Sequence, residues 1–418
     1  MTLILKNSVA VTANGEQKRD IFIKNGLIAE PFAETEATRV IDCEGLYVLP
    51  GLFDMHVHFR DPGQTENEDI ISGGEAAAAG GVTGVLCMPN TSPPVDNADT
   101  LRYILDKAKL SKVKLYQSCT LTAGMKGETL TDFDSLAKAG AIAATDDGRP
   151  VENAAVMREA MALAHKAGLA VISHCEDLDI INGGIINEGA VSEKLGVRGM
   201  NRLSENLITA REILISENTG VPIHIAHVST KESAKLVEIA KANGLNVTAE
   251  TAPHYFTLTE TELLHRDADY RMNPPLRTNS DKGAITDAVV DGVLDCIITD
   301  HAPHAAEYKS DFVTAKNGVV GLETSLAATL TAFYHTKRLT LSRIVELMCK
   351  RPREILKLPA CSLEVGQAAD IAVADVNKEW VVDTDKLHSK SRNSCFKGMT
   401  LKGKVKFTLN DGVIVYED

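Results

Sequence analysis

The sequence predicts an α/β protein: a (β/α)8 barrel of the TIM type, with a small composite β domain built from both ends of the chain. Three observations lead there. Between residues 51 and 358, apolar strand-like runs alternate eight times with segments of helical periodicity. Outside that region, at 1–50 and 359–418, short alternating runs are separated by tight turns. Polar residues of metal-binding type also recur where the barrel runs end.

Taken in order, residues 1–50 read as short strands. Asn14-Gly15 and Asn25-Gly26 supply the positive-φ positions of hairpin turns between apolar segments such as Asp20-Ile21-Phe22-Ile23. The barrel strands are expected at 52–58, 82–88, 113–119, 141–145, 170–174, 222–228, 246–251 and 295–299. Helical periodicity is clearest at 152–167, 204–217 and 231–242, each ending near a glycine (Gly168, Gly220, Gly244) as a helix C-terminus should. A doubly wound open sheet is the structural rival, but eight units and the distribution of polar residues favour a barrel. The last sixty residues return to alternating runs with an Asn410-Asp411-Gly412 turn. Neither terminal block has enough strands for a core of its own, so the two are expected to pair.

Composition narrows the partners. With 44 basic and 57 acidic residues the net charge is −13, which argues against nucleic acid or an anionic membrane surface and for a small molecule. An anionic substrate then needs a local cationic pocket. No apolar run approaches membrane-span length, and the N-terminal one is too short for a signal peptide. The eight cysteines include no C-x-x-C pair, and Cys87, Cys175 and Cys296 lie in apolar runs, as in a reduced cytoplasmic protein.

The chemistry begins at His56-Val57-His58. Side chains alternate faces along a strand, so these two imidazoles project from one side and can share a divalent cation. Two ligands do not fill a tetrahedral site. Further candidates stand at other strand ends: Asp146 and Asp147 in Thr-Asp-Asp-Gly, His174, His224 and His227, and Asp300. Four histidines and two carboxylates can hold two zinc ions with one carboxylate between them. Such a pair lowers the pKa of a water and polarises a carbonyl.

Taken together, His-Val-His-Phe-Arg-Asp-Pro-Gly, Met88-Pro89-Asn90-Thr91, the Thr-Asp-Asp-Gly turn, His174-Cys175-Glu176-Asp177, His227-Val228-Ser229-Thr230, Met272-Asn273-Pro274-Pro275-Leu276-Arg277 and Asp300-His301-Ala302-Pro303-His304 resemble the class I dihydroorotases of the amidohydrolase superfamily. The resemblance covers essentially the whole chain. It implies His56, His58 and Asp300 as ligands of one zinc, His174 and His227 as ligands of the other, and Asp147 between them. Two zinc ions per chain are expected, with the second site partly filled, because an aspartate is shorter than the carboxylated lysine of many relatives.

The resemblance also implies the reaction, the reversible closure of N-carbamoyl-L-aspartate to L-dihydroorotate and water in pyrimidine synthesis. A hydroxide on the metals is the implied nucleophile, and Asp300 the general acid and base. His58, Arg60, Asn90 and His304 are the implied contacts of the substrate carboxylate and its surroundings. Asn273, Asn317 and Gly318 are those of the ring's amide edge. Two rival functions follow from the same motifs. One is a hydantoinase or allantoinase, and the other a non-catalytic dihydroorotase-like subunit of aspartate transcarbamoylase. A homodimer and an association with aspartate transcarbamoylase stand as partner expectations. The long stretch 305–318 reads as a mobile lid.

Overall fold

The computed structural model describes residues 2–418. One of its two eight-stranded sheets is all parallel and runs in chain order: Leu52–Val57, Val82–Cys87, Lys114–Cys119, Ala141–Ala144, Ala170–Ser173, Ile223–Ile225, Val247–Thr251 and Cys296–Ile297. We refer to these as barrel strands one to eight. Strand eight is only two residues long, and the barrel closes just beyond it. There Val57 bridges His301 in parallel, and His58 N donates to His301 O at 2.8 Å. Buried Asp54 braces the same seam, accepting from His56 N and Thr299 N, each at 3.1 Å.

Strand six stops at Ile225 rather than at 228, because His227 turns into the left-handed region at φ 30°. The 152–167 helix begins at Ala154, since the Asn153 side chain accepts from Ala155 N and Val156 N and so caps it. The next runs Leu203–Thr219 and ends on Gly220 at φ 71°, and the third is Lys231–Ala242 as expected.

The second sheet interleaves the two chain ends. Ile371–Val381 pairs antiparallel with Tyr47–Pro50 on one edge and with Thr400–Asn410 on the other; Tyr47–Pro50 in turn lies parallel to Thr2–Thr12. Alternate side chains of both ends share one core, in which Leu3, Leu5, Ile23 and Val48 meet Ile371, Val373 and Leu409. Two of the hairpin turns read from sequence carry positive φ at both positions, Asn25 at 54° with Gly26 at 82° and Asp411 at 47° with Gly412 at 74°, whereas at Asn14-Gly15 only the glycine does, at 107°. The barrel's own core is larger and continuous from strand to helix layer. No helix among the described residues is long and apolar enough to cross a membrane.

Candidate metal centre and active site

The C-terminal ends of strands one, four, five and six and the segment after strand eight converge on one point. His56, His58 and Asp147 form one group of ligand atoms, and Asp147, His174 and His227 form another, with every atom of a group within 4.8 Å of the others. Asp147 belongs to both. His56 Nε2 and His174 Nδ1 each lie 3.4 Å from Asp147 Oδ1, with His58 Nε2 3.6 Å from Oδ2 and His227 Nε2 3.6 Å from Oδ1. Ligand atoms about 2.0–2.1 Å from a tetrahedral zinc stand roughly 3.3 Å apart, so these spacings suit a shared cation. His174 Nδ1 and His227 Nε2 are closer, at 2.8 Å, as a hydrogen bond between two rings. Asp300 completes the cluster, with Oδ1 3.0 Å from His58 Nε2 and 3.8 Å from His56 Nε2.

The fit to a metal rests on two further observations. His56 Nε2 and Asp147 Oδ1 are buried and have no hydrogen-bond partner. The electrostatics also call for positive charge at this point. Burial disfavours the imidazolium of His56, yet the Asp147 and Glu250 carboxylates hold its pKa well above the usual value. His174 is likewise opposed by burial but pushed up to about 10 by Asp147 and Glu176. Asp147 and Asp300 are held below the usual carboxylate range despite their burial. The residues present therefore fit divalent cations.

Three side chains of the site sit on strained backbone. Arg60 (φ 60°), His227 (30°) and Asp300 (49°) all occupy the left-handed region, which non-glycine residues adopt at a cost. Beside the cluster opens a cavity of about 320 Å³ lined by Arg60, Asn90, Asn273, His304, Asn317 and Gly318. The sequence-derived contact residues thus share one chamber with the ligands, but several are already engaged. Asn90 Oδ1 accepts from His58 Nδ1 at 2.9 Å, which leaves Nε2 of that ring facing the cluster. Asn273 Nδ2 donates to Glu176 Oε1 at 2.8 Å. The side-chain oxygen of Asn317 accepts from Arg271 at 3.0 Å, and its carbonyl lies 2.8 Å from His304 Nε2. At Gly318 (φ 139°) a Cβ would stand 2.7 Å from Ala302 O, so the chain passes there only as glycine.

The 305–318 stretch is stitched down over the site. Arg271 donates to Phe312 O (2.7 Å) and Val313 O (2.8 Å), and Lys309 Nζ donates to Gly318 O (3.0 Å). The C-terminal segment adds a second clamp, since Asn393 donates to Gly318 O (2.9 Å) and accepts from His304 N (3.2 Å).

Reading the sequence for metal ligands alone passes over three residues. Glu250 lies 2.6 Å from His56 Nδ1, Glu176 lies 3.2 Å from His174 Nε2, and Arg271 anchors the covering loop. Two of them carry a trace in the sequence. Glu250 is an acid inside an otherwise strand-like run, and Glu176 follows His174 by two, on the same face of an extended chain. Asp146 and His224 stand apart from the cluster. Asp146 accepts from Leu121 N (2.7 Å) and Thr122 N (3.2 Å), holding the loop after strand three. His224 lies behind Glu250, 3.2 Å from its Oε2.

Comparison with known proteins bears on this arrangement. A family model described as dihydro-orotase-like matches residues 45–233. A dihydroorotase from Trichlorobacter lovleyi is 44% identical over 423 residues, spanning 100% of this chain and 99% of the relative. One from Geobacter metallireducens is 46% identical over 403 residues, with 95% of each chain covered. Among solved structures, an L-hydantoinase from Arthrobacter aurescens superposes with a TM-score of 0.88 at 27% identity, covering 99% of this chain and 96% of its own. A D-hydantoinase at 24% identity gives the same TM-score and shows the shared fold.

Proposed function

The chain belongs to the dihydroorotase family, and from that premise we infer that it interconverts L-dihydroorotate and N-carbamoyl-L-aspartate in pyrimidine synthesis, with two zinc ions as cofactor. The observation that carries this reading is the meeting of four histidines, Asp147 and Asp300 with the half-buried guanidinium of Arg60 in one chamber. Four buried carboxylates (Asp147, Asp300, Glu176 and Glu250) face the centre against one guanidinium, a charge imbalance that two divalent cations offset better than one.

His56, His58 and Asp300 would hold one ion and His174 and His227 the other, with Asp147 between them. Bound there, the metals supply a water of lowered pKa and polarise the carbonyl to be attacked. The chain's own groups do the rest. Arg60, charged and desolvated, pairs with the substrate carboxylate and fixes the ring's orientation. Asn273, itself held by Glu176, faces the ring's amide edge, together with the backbone at Gly318. In the hydrolytic direction the Asp300 carboxylate takes a proton from the attacking water. It then delivers that proton to the ring nitrogen as the bond from nitrogen to the carbonyl beside the methylene breaks. Ring closure runs the same transfers backward and consumes one proton overall, so acid favours dihydroorotate.

All eight cysteines are free, and seven of them are buried, which supports a reducing compartment such as the cytoplasm. The direct test is hydrolysis of L-dihydroorotate by the isolated chain, with elemental analysis of the same sample. Absence of turnover in a metal-replete sample would set this function aside.

A further inference from the structure

Behind the ligand histidines stand two buried carboxylates that take no proton in the reaction, although Glu176 also holds Asn273 at 2.8 Å. Glu250 places Oε1 2.6 Å from His56 Nδ1. His224 lies beside it, with Nε2 3.2 Å from Glu250 Oε2 but outside hydrogen-bond geometry, and with Nδ1 2.8 Å from Thr248 Oγ1. Glu176 places Oε2 3.2 Å from His174 Nε2. The two pairs belong to different halves of the centre, because His56 groups with His58, His174 groups with His227, and Asp147 is the residue common to both groups.

The two carboxylates also select opposite ring nitrogens. Glu250 takes Nδ1 of His56 and leaves Nε2 facing Asp147, whereas Glu176 takes Nε2 of His174 and leaves Nδ1 facing Asp147. An anion behind a ligating imidazole fixes its tautomer and raises its basicity. His58, by contrast, is backed by the neutral amide of Asn90.

We propose that Glu250 and Glu176 are positioning residues that set the metal affinities of the two halves separately, Glu250 for the His56/His58 half and Glu176 for the His174/His227 half. The proposal rests on the two-metal reading given above. Glu250→Gln and Glu176→Gln keep shape and an acceptor oxygen while removing the charge. The full chain, stripped and reloaded with Co²⁺, is dialysed against graded chelator. Metal content and the visible cobalt spectrum are followed, and circular dichroism confirms the fold.

The parent should release two ions. Glu250→Gln should release one of them about 10–100-fold more readily and leave the other unchanged, and Glu176→Gln should do the same to the other ion. The half-loaded spectra of the two variants should differ. Glu250→Asp and Glu176→Asp, which retain charge, serve where a glutamine variant fails to fold, and should fall between parent and glutamine. Unchanged release in both variants, or both ions shifting together in each, overturns the assignment while leaving the two-metal reading intact. A parent that binds no Co²⁺ overturns both.

Discussion

Nη2 of Arg60 lies 3.5 Å from Nε2 of His304, a guanidinium beside an imidazole in the wall of the active-site cavity. Burial, and then the Arg60 charge, push the His304 pKa down to about 3, so that ring is neutral near pH 7. Burial also lowers Arg60, to about 10, which still leaves it charged. Of the pair, Arg60 alone offers a cation to a bound carboxylate.

Arg60→Met should therefore lower kcat/KM for dihydroorotate by about two orders of magnitude, roughly 3 kcal/mol, with metal content unchanged. Dihydrouracil, which lacks the carboxylate, should be a poor substrate for the parent and no worse for the variant. A parent that prefers dihydrouracil or a hydantoin, or a variant that loses both substrates equally, would favour the hydantoinase-like alternative.

Asp300→Asn should abolish turnover in both directions, because one carboxylate serves both proton transfers. Substrate binding, measured by calorimetry, should survive. Turnover within tenfold of the parent would remove Asp300 from its assigned role.

Dialysis against a strong chelator should eliminate activity and lower the melting temperature, and added Zn²⁺ should restore both. A ligand at 100 times its Kd stabilises the state it binds by about 2.7 kcal/mol. Activity that persists without metal would contradict the reading of the centre.

Asp69 caps the helix Ile70–Ala79, accepting from Ile71 N and Ser72 N, and pairs with Lys390 from the C-terminal segment. Partial burial opposes its charge, but these partners bring its pKa down to about 2. Because the folded value lies below the unfolded one of about 3.9, its contribution is full above that value and fades as pH falls towards 2. Asp69→Ala should cost about 1 kcal/mol at neutral pH, and the difference from the parent should shrink between about pH 4 and pH 2. Parallel acid-unfolding curves would contradict this.

Deleting 361–418 should yield insoluble protein. The deletion removes three strands, of which Ile371–Val381 pairs with Tyr47–Pro50, and also Asn393, which holds the chain at Gly318 and His304. A soluble, fully active truncation would show that the terminal sheet is dispensable.

The parts of this molecule legible in its sequence are those governed by a local period. Apolar runs of five to seven residues located the barrel strands, and two-residue spacing placed His56 and His58 on one face. Residues whose meaning depends on a distant partner were not legible. A lone glutamate in a strand, such as Glu250, reads equally well as a solvent-facing residue until His56 is found 194 positions away in sequence. Arg271 gave no sign that it anchors the covering loop, because its partners are the carbonyls of Phe312 and Val313. Strand eight was overestimated for a related reason. Its apolar run continues past Ile297, but backbone pairing passes to His301 after the left-handed turn at Asp300.

That turn has a consequence for how the chain assembles. The seam between strands one and eight runs beside the proposed centre, where His58 meets Asp300 from 242 positions away in sequence. A cation gripped by both is topologically a cross-link around most of the barrel, and loop-closure entropy for a ring of that size is among the largest a single tie can remove from the unfolded chain. Such an ion would lock a ring that backbone pairing has already closed, and a nascent chain brings His58 to Asp300 only when its barrel has shut.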